Sequence, residues 1–278
     1  MRSIGENEIS PFLRYARTIY VTPEDHYNGV MAYDARAVYI FAGNGKLSVN
    51  SYTYRLAPGT LIMWQAGQIY CFQDIAENVG LIMLNFDFAG GGKALLIPDP
   101  PEKFNASRVI AYPAFTEGAD NNGVFYRIGA FDTEYLMRNL VDEYTMSRVN
   151  SGLATKGLLT TLIAKASRPA INDRRTEELI AYINSHVSEK MTYASLGDVF
   201  GYHPNHIARL VRNAVGNSLH AYIMKIRVSR ALSLLTEEGR TVAETAEMCG
   251  FPDSASFSKR FKAEIGVSPT SVRSNKNV

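Results

Sequence analysis

Near the C-terminal end of the chain, two short stretches carry the same chemical pattern. Asn205, Ala208, Arg209 and Arg212 stand at i, i+3, i+4 and i+7, as do Ala255, Ser258, Lys259 and Lys262, with His206 and Ser254 beside them. Residues at that spacing share one face of an α-helix. An arginine on such a face can donate two hydrogen bonds to a guanine edge, and an asparagine can bond an adenine edge in the same bidentate way. Lysine offers a point charge suited to phosphate. Ala208 and Ala255 can make only apolar contact. Together these residues suit the recognition of duplex nucleic acid.

Such a face must be held from its opposite side. Ile207, Leu210, Val211 and Ala214 provide that side in the first stretch, and Phe257, Phe261 and Ile265 in the second. A matching segment precedes each one. Leu196-Gly-Asp-Val-Phe-Gly-Tyr202 aligns with Thr245-Ala-Glu-Met-Cys-Gly-Phe251, followed by polar breaks at His203-Pro204 and Pro252-Asp253. Both stretches close with Gly-x-Ser (Gly216 to Ser218, Gly266 to Ser268), where glycine suits a left-handed C-cap and serine caps the next helix. Gly197 and Ala246 are small where two helix backbones must come close. The pattern predicts two helix-turn-helix units, each placing its second helix in a major groove. A plain helical bundle with a basic surface accounts less well for two copies with matching faces.

Charge agrees with this division. The chain is +2 overall, but from residue 201 onward Lys and Arg exceed Asp and Glu by five, leaving −3 for the first 200 residues. With 46% hydrophobic and 20% charged residues, the 278-residue chain is not of disordered composition. No apolar run approaches the roughly 20 residues of a membrane span. Arg2, Glu6, Glu8, Arg14 and Arg17 leave no apolar signal-peptide core near the start. Cys71 and Cys249 are too few for a disulfide framework or a cysteine-built zinc site. The expected location is cytoplasmic.

Upstream the texture differs. From Val38 to Phe88, short β-rich runs alternate with turns at Gly43-Asn44-Gly45, Asn50-Ser51, Pro58-Gly59 and Gly67, as in a sandwich or barrel. Prolines at 98, 100, 101 and 113 disfavour long helices between residues 93 and 128. From Asp132 the period turns helical. Leu136, Leu140 and Tyr144 predict one helix, and Leu158, Leu159, Leu162 and Ile163 a second, joined as an αα-hairpin. The expected organisation is a β domain over 1–130, a helical hairpin over 131–167, a linker at 168–173 and an all-helical domain over 174–278.

Residues 174–273 resemble the DNA-binding domain of AraC-type transcription regulators. The resemblance rests on Gly266-Val-Ser-Pro-Thr270 with Arg273, on Gly250-Phe251, and on Phe257-Ser-Lys-Arg-Phe-Lys262. Leu219-His-Ala-Tyr-Ile-Met-Lys-Ile-Arg227 and Ala231-Leu-Ser-Leu-Leu235 match the family's joining helix. Thr245 stands where isoleucine is usual, and Val211 where phenylalanine is commoner. The resemblance implies base contacts at Asn205, Ala208 and Arg209, and at Ala255, Ser258 and Lys259. Tyr39-Ile-Phe-Ala-Gly-Asn-Gly45, Tyr54-Arg-Leu-Ala-Pro-Gly59 and Gln65-Ala-Gly-Gln-Ile-Tyr70 are similar to the cupin-like effector domain common in that family. The fold class so implied is a multidomain α+β chain: an N-terminal cupin-like β-barrel with an αα-hairpin, then an all-α double helix-turn-helix.

Metal-binding cupins carry histidines on the strands concerned. This sequence has none there, and His26 is the only histidine before residue 186. No metal or other cofactor is therefore expected, and no catalytic residue. An aromatic-lined interior with a few polar groups suits a small organic ligand, and sugar faces stack on such rings. Arg36, Tyr39, Trp64, Tyr70, Asn85 and Asp87 are the candidates, with Asn85 and Asp87 on one strand face. The resemblance implies a homodimeric, small-molecule-responsive regulator, and the aromatic residues point to a carbohydrate as effector. It would bind operator DNA, and as an activator it would contact RNA polymerase. A cupin-type sugar-modifying enzyme fused to a DNA-binding domain, and a ligand-independent regulator, are the alternatives.

Overall fold

The computed structural model describes the chain except residues 1–2, 26–28, 76–77, 91–96, 107–113, 169–173, 237–238 and 275–278. His26 and most of the expected linker at 168–173 therefore lie outside the described residues. The chain forms two compact units, residues 1–170 and 171–278.

In the first unit the turn-rich sequence becomes β1 (Phe12–Val21), β2 (Val30–Met31), β3 (Ala35–Ala42), β4 (Gly45–Val49), β5 (Tyr52–Leu56), β6 (Thr60–Trp64), β7 (Ile69–Gln73), β8 (Val79–Asp87) and β9 (Phe125–Arg127). The described strands form two sheets, ordered β1-β8-β3-β6-β9 and β2-β7-β4-β5, with antiparallel ladders throughout. The expected barrel is not closed: among the described residues no ladder joins the two sheets. Gly43-Asn44 carries the chain from β3 in one sheet to β4 in the other, and the two-residue β2 is too short to extend the pairing.

Alternation along β3 divides its side chains between two cores. Ala35, Ala37, Tyr39 and Phe41 join the cluster that includes the helices, while Val38 and Ile40 face the second sheet. Every residue of β3 is buried, as expected of a strand covered on both faces. The outer cover is the hairpin α1 (Glu134–Met146) and α2 (Ser151–Ala166), which buries Leu136, Met137, Leu140, Leu159, Leu162 and Ile163. Tyr144, expected on that inward face, is 38% exposed and meets Tyr15 edge-on at the border strand β1. Leu158 is half-buried.

The second unit is helical. It contains α3 (Arg174–Ser185), α4 (Tyr193–Phe200), α5 (Pro204–Val215), α6 (Leu219–Thr236), α7 (Val242–Met248), α8 (Ser254–Ile265) and α9 (Pro269–Ser274). Phe257 and Phe261 pack with Val228, Ala231, Leu235 and Ala246 into one cluster, which seats α8 against α6 and α7.

Candidate nucleic-acid interface and buried polar cluster

The two halves of the repeat are built by the same local devices. Thr192 and Thr241 cap α4 and α7, their hydroxyls accepting from the Ser195 amide at 3.1 Å and the Glu244 amide at 3.2 Å. Each turn then folds back on its first helix: the Tyr202 amide donates to the Gly197 carbonyl, and the Phe251 amide to the Ala246 carbonyl, both at 2.9 Å. A Cβ on Gly197 would lie 2.5 Å from the Tyr202 carbonyl oxygen. The small residue thus admits the turn first of all, with Pro204 at the start of α5 also within 3.7 Å. His203 and Asp253 cap α5 and α8.

Helix α5 buries Ile207, Val211 and Val215, whereas Leu210 and Ala214 are half-buried, so its inward stripe runs one residue further than the sequence implied. Helix α8 buries Phe257 and Phe261, but Ile265, at its last residue, is 36% exposed. The opposite faces are open. Asn205, Arg209 and Arg212 are exposed on α5, with His206 and Ala208 half-buried. On α8, Ser254, Ala255, Lys259 and Lys262 are exposed, and Ser258 is half-buried. Arg209 Nη2 lies 3.0 Å from His206 Nδ1, which holds the guanidinium over the N-terminal half of α5.

Hydrogen bonds from the Ser256 amide and hydroxyl hold the Asp253 carboxyl below its ordinary value of 3.8. A carboxylate whose pKa falls on folding contributes stability that is complete above the unfolded value and is lost as pH drops through the folded one. Acid titration of the unfolding free energy should therefore be shallower for Asp253→Asn than for the wild type below about pH 4. Equal slopes would mean that the cap forms no better in the folded chain.

In the first unit five of the six candidate ligand residues gather between the sheets. Arg36 on β3 is paired in register with Asn85 on β8 and Trp64 on β6. Its Nη1 donates to the Tyr70 hydroxyl at 3.0 Å, and its Nε contacts Asp34 Oδ1 at 3.3 Å. Asp87 accepts from Arg14 Nε at 2.8 Å in an ion pair with both side chains 1% exposed. Trp64 and Tyr70 stack obliquely with centroids 5.0 Å apart. Three buried polar atoms in this cluster, Asp34 Oδ2, Trp64 Nε1 and Asn85 Oδ1, make no hydrogen bond within the protein. Burial pushes the Asp34 carboxyl above its ordinary value, against the pull of Arg36 and Arg14.

Tyr39 is elsewhere. It points from the other face of β3 and donates to Glu134 Oε2 at 2.9 Å, tying the sheet to the start of α1. Burial raises its pKa well above 10, so the hydroxyl keeps its proton and remains a donor. Arg14 and Asp34 were not anticipated. Asp34 stands in the bend just before β3 and is brought to the site by its contact with Arg36, whereas Arg14 turns inward at a bulge between Leu13 and Tyr15. Among the described residues no group of three or more His, Cys, Asp or Glu could hold a metal ion. No described helix is long and apolar enough to cross a membrane.

The profile of a helix-turn-helix domain family matches residues 196–275, from α4 through α9. Residues 196–275 are an AraC-type helix-turn-helix domain. The HTH-type transcriptional activator RhaS of Citrobacter koseri is 28% identical over 144 residues, 51% of this chain and 52% of that one. RhaS of Mannheimia succiniciproducens is 22% identical over 236 residues and 83% of each chain. Among solved structures, the C-terminal domain of the response regulator AraT from Geobacillus stearothermophilus is 28% identical. It covers 37% of this chain and 86% of its own, with a TM-score of 0.36. The chain spans about half the length, or less, of the first curated relatives it matches. The AraC-type unit thus comprises both capped helix pairs and the helix α6 between them.

Proposed function

We propose that this chain is a transcription regulator that binds duplex DNA through α5 and α8 and responds to a small polyhydroxylated molecule held between the sheets. The observation that carries the reading is the pair of exposed basic helix faces on one AraC-type domain. Asn205, His206, Ala208 and Arg209 would meet bases in one groove, and Ser254, Ala255, Ser258 and Lys259 in another. Arg212 and Lys262, two turns into their helices, would meet phosphates.

The cluster around Arg36 supports a ligand with hydroxyls. Asp34 Oδ2 and Asn85 Oδ1 lack donors and Trp64 Nε1 lacks an acceptor, and the Trp64 and Tyr70 rings lie beside them. A hydroxyl can donate and accept, so one sugar-like molecule could satisfy all three. Arg36, Trp64, Tyr70, Asn85 and Asp87 would line the site with Asp34 and Arg14. Tyr39, through Glu134, would link β3 to the hairpin, which would pair two copies of the chain. The exposed Tyr135, Met146, Val149 and Leu153 on that hairpin and its turn favour such an interface.

A panel of monosaccharides and polyols, screened by thermal unfolding followed through Trp64, tests the ligand reading. A binder at 100-fold its Kd should stabilise the unit by about 2.7 kcal/mol. Asp34→Asn should abolish that shift. A panel without any stabilising member would remove the polyol, and selection of no sequence from random duplex DNA would remove the regulator.

A further inference from the structure

Arg227 lies near the middle of α6 and is 8% exposed. Its guanidinium fans out to three backbone carbonyls. Nε donates to Val187 at 2.7 Å, Nη2 to Glu189 at 2.9 Å and Nη1 to Gly250 at 2.5 Å. The charge also sits 5.9 Å from the centre of the Phe251 ring. These partners come from different halves of the domain. Val187 and Glu189 follow α3, which packs on α5 of the first helix pair, whereas Gly250 and Phe251 form the turn between α7 and α8. Only a rigid fork of donors can reach all three carbonyls at once.

The two equivalent glycines of the repeat supply an independent observation. Gly201 and Gly250 both have positive φ, +70° and +74°. A Cβ on Gly201 would meet nothing within 4 Å, whereas one on Gly250 would collide with the backbone carbonyl of Ser188. The first turn needs glycine for its conformation alone. The second needs it also because the backbone leading into the first helix pair presses against it.

We propose that Arg227 and the Ser188–Gly250 backbone contact form the joint that fixes the two recognition helices relative to one another. The spacing of the two DNA boxes then depends on this joint and not on the stiffness of α6 alone. Arg227 is a positioning residue; it is buried and touches no DNA. The inference rests on the DNA-binding reading for its consequence, but the joint itself can be measured without DNA.

Spin labels attached through ketone-bearing amino acids at the exposed positions Asn213 on α5 and Ala263 on α8 report the separation in the full-length protein. The wild type should give one narrow distance distribution, and Arg227→Met a broad one, with helical content retained. If that variant does not fold, Arg227→Lys keeps the charge and stem but cannot span three carbonyls, and should broaden the distribution likewise. Gly250→Asn should broaden it while Gly201→Asn should not, since asparagine tolerates positive φ at an open site.

DNA adds a second readout, using duplexes selected by the wild type from a random pool. Inserting two base pairs between the boxes should weaken wild-type binding at least about tenfold and Arg227→Lys binding by less than about threefold. A distribution as narrow in the Arg227 variants as in the wild type, or unchanged spacing discrimination, overturns the joint. A wild type that selects no duplex counts against the DNA-binding reading, and the distance distributions still decide the joint.

Discussion

Arg14→Met is expected to lower the stability of the N-terminal unit by about 3–5 kcal/mol, the usual cost of removing one partner from a buried ion pair. The pair with Asp87 has side chains 1% exposed, so the remaining carboxylate would stay in a low-dielectric interior with its strongest compensation gone. For a unit of this size the loss corresponds to roughly 6–20 °C in Tm. Trp64 is the only tryptophan and is fully buried in this unit, so its fluorescence in urea reports the unit's unfolding without signal from the helical one. Adding Asp87→Leu to Arg14→Met should recover most of the loss, because two apolar groups replace the stranded charge. A single variant costing less than about 1 kcal/mol would show that water reaches the pair, as it does at exposed pairs.

How much of this cluster could be read beforehand follows from strand geometry. A period of two puts Asn85 and Asp87 on one face of β8; Asn85 is in register with Arg36 on β3, and Asp87 meets the inward-turned Arg14. The same period separates Arg36 from Tyr39, three residues on, so the two could not share a site. Asp34 stands in a bend before the strand begins, where that rule does not reach. Arg14 was not legible, because a bulge leaves no mark in the alternation of Phe12-Leu13-Arg14-Tyr15. Barrel and sandwich share the same strand pattern, and they differ only in which distant strands pair. In the helical unit the repeat exposed both helix pairs at once, since caps, turn glycines and apolar positions recur together. The burial of Arg227 escaped it: its three acceptors are backbone carbonyls 23 to 40 residues away, and carbonyls carry no sequence signal.

Replacing Arg209 and Lys259 together by alanine should cost about 2–6 kcal/mol on a selected site, twice the roughly 1–3 kcal/mol expected of one base-contacting residue. The two lie on separate helices without a common partner, so their effects should nearly add. Arg209→Ala alone should flatten preference at the base pair it reads, where a guanidinium bonds guanine at two points. It also gives up the contact with His206, so His206→Ala is the control for a misplaced rather than missing guanidinium. Arg212→Ala and Lys262→Ala should behave differently, weakening all sequences alike and lowering the slope of log K against log salt by about one each. Binding measured across single-base variants of the site at several salt concentrations separates the two patterns. If Arg209→Ala left selectivity intact and changed only the salt slope, Arg209 would be a phosphate contact, and base reading would pass to Asn205 and its neighbours at the start of α5.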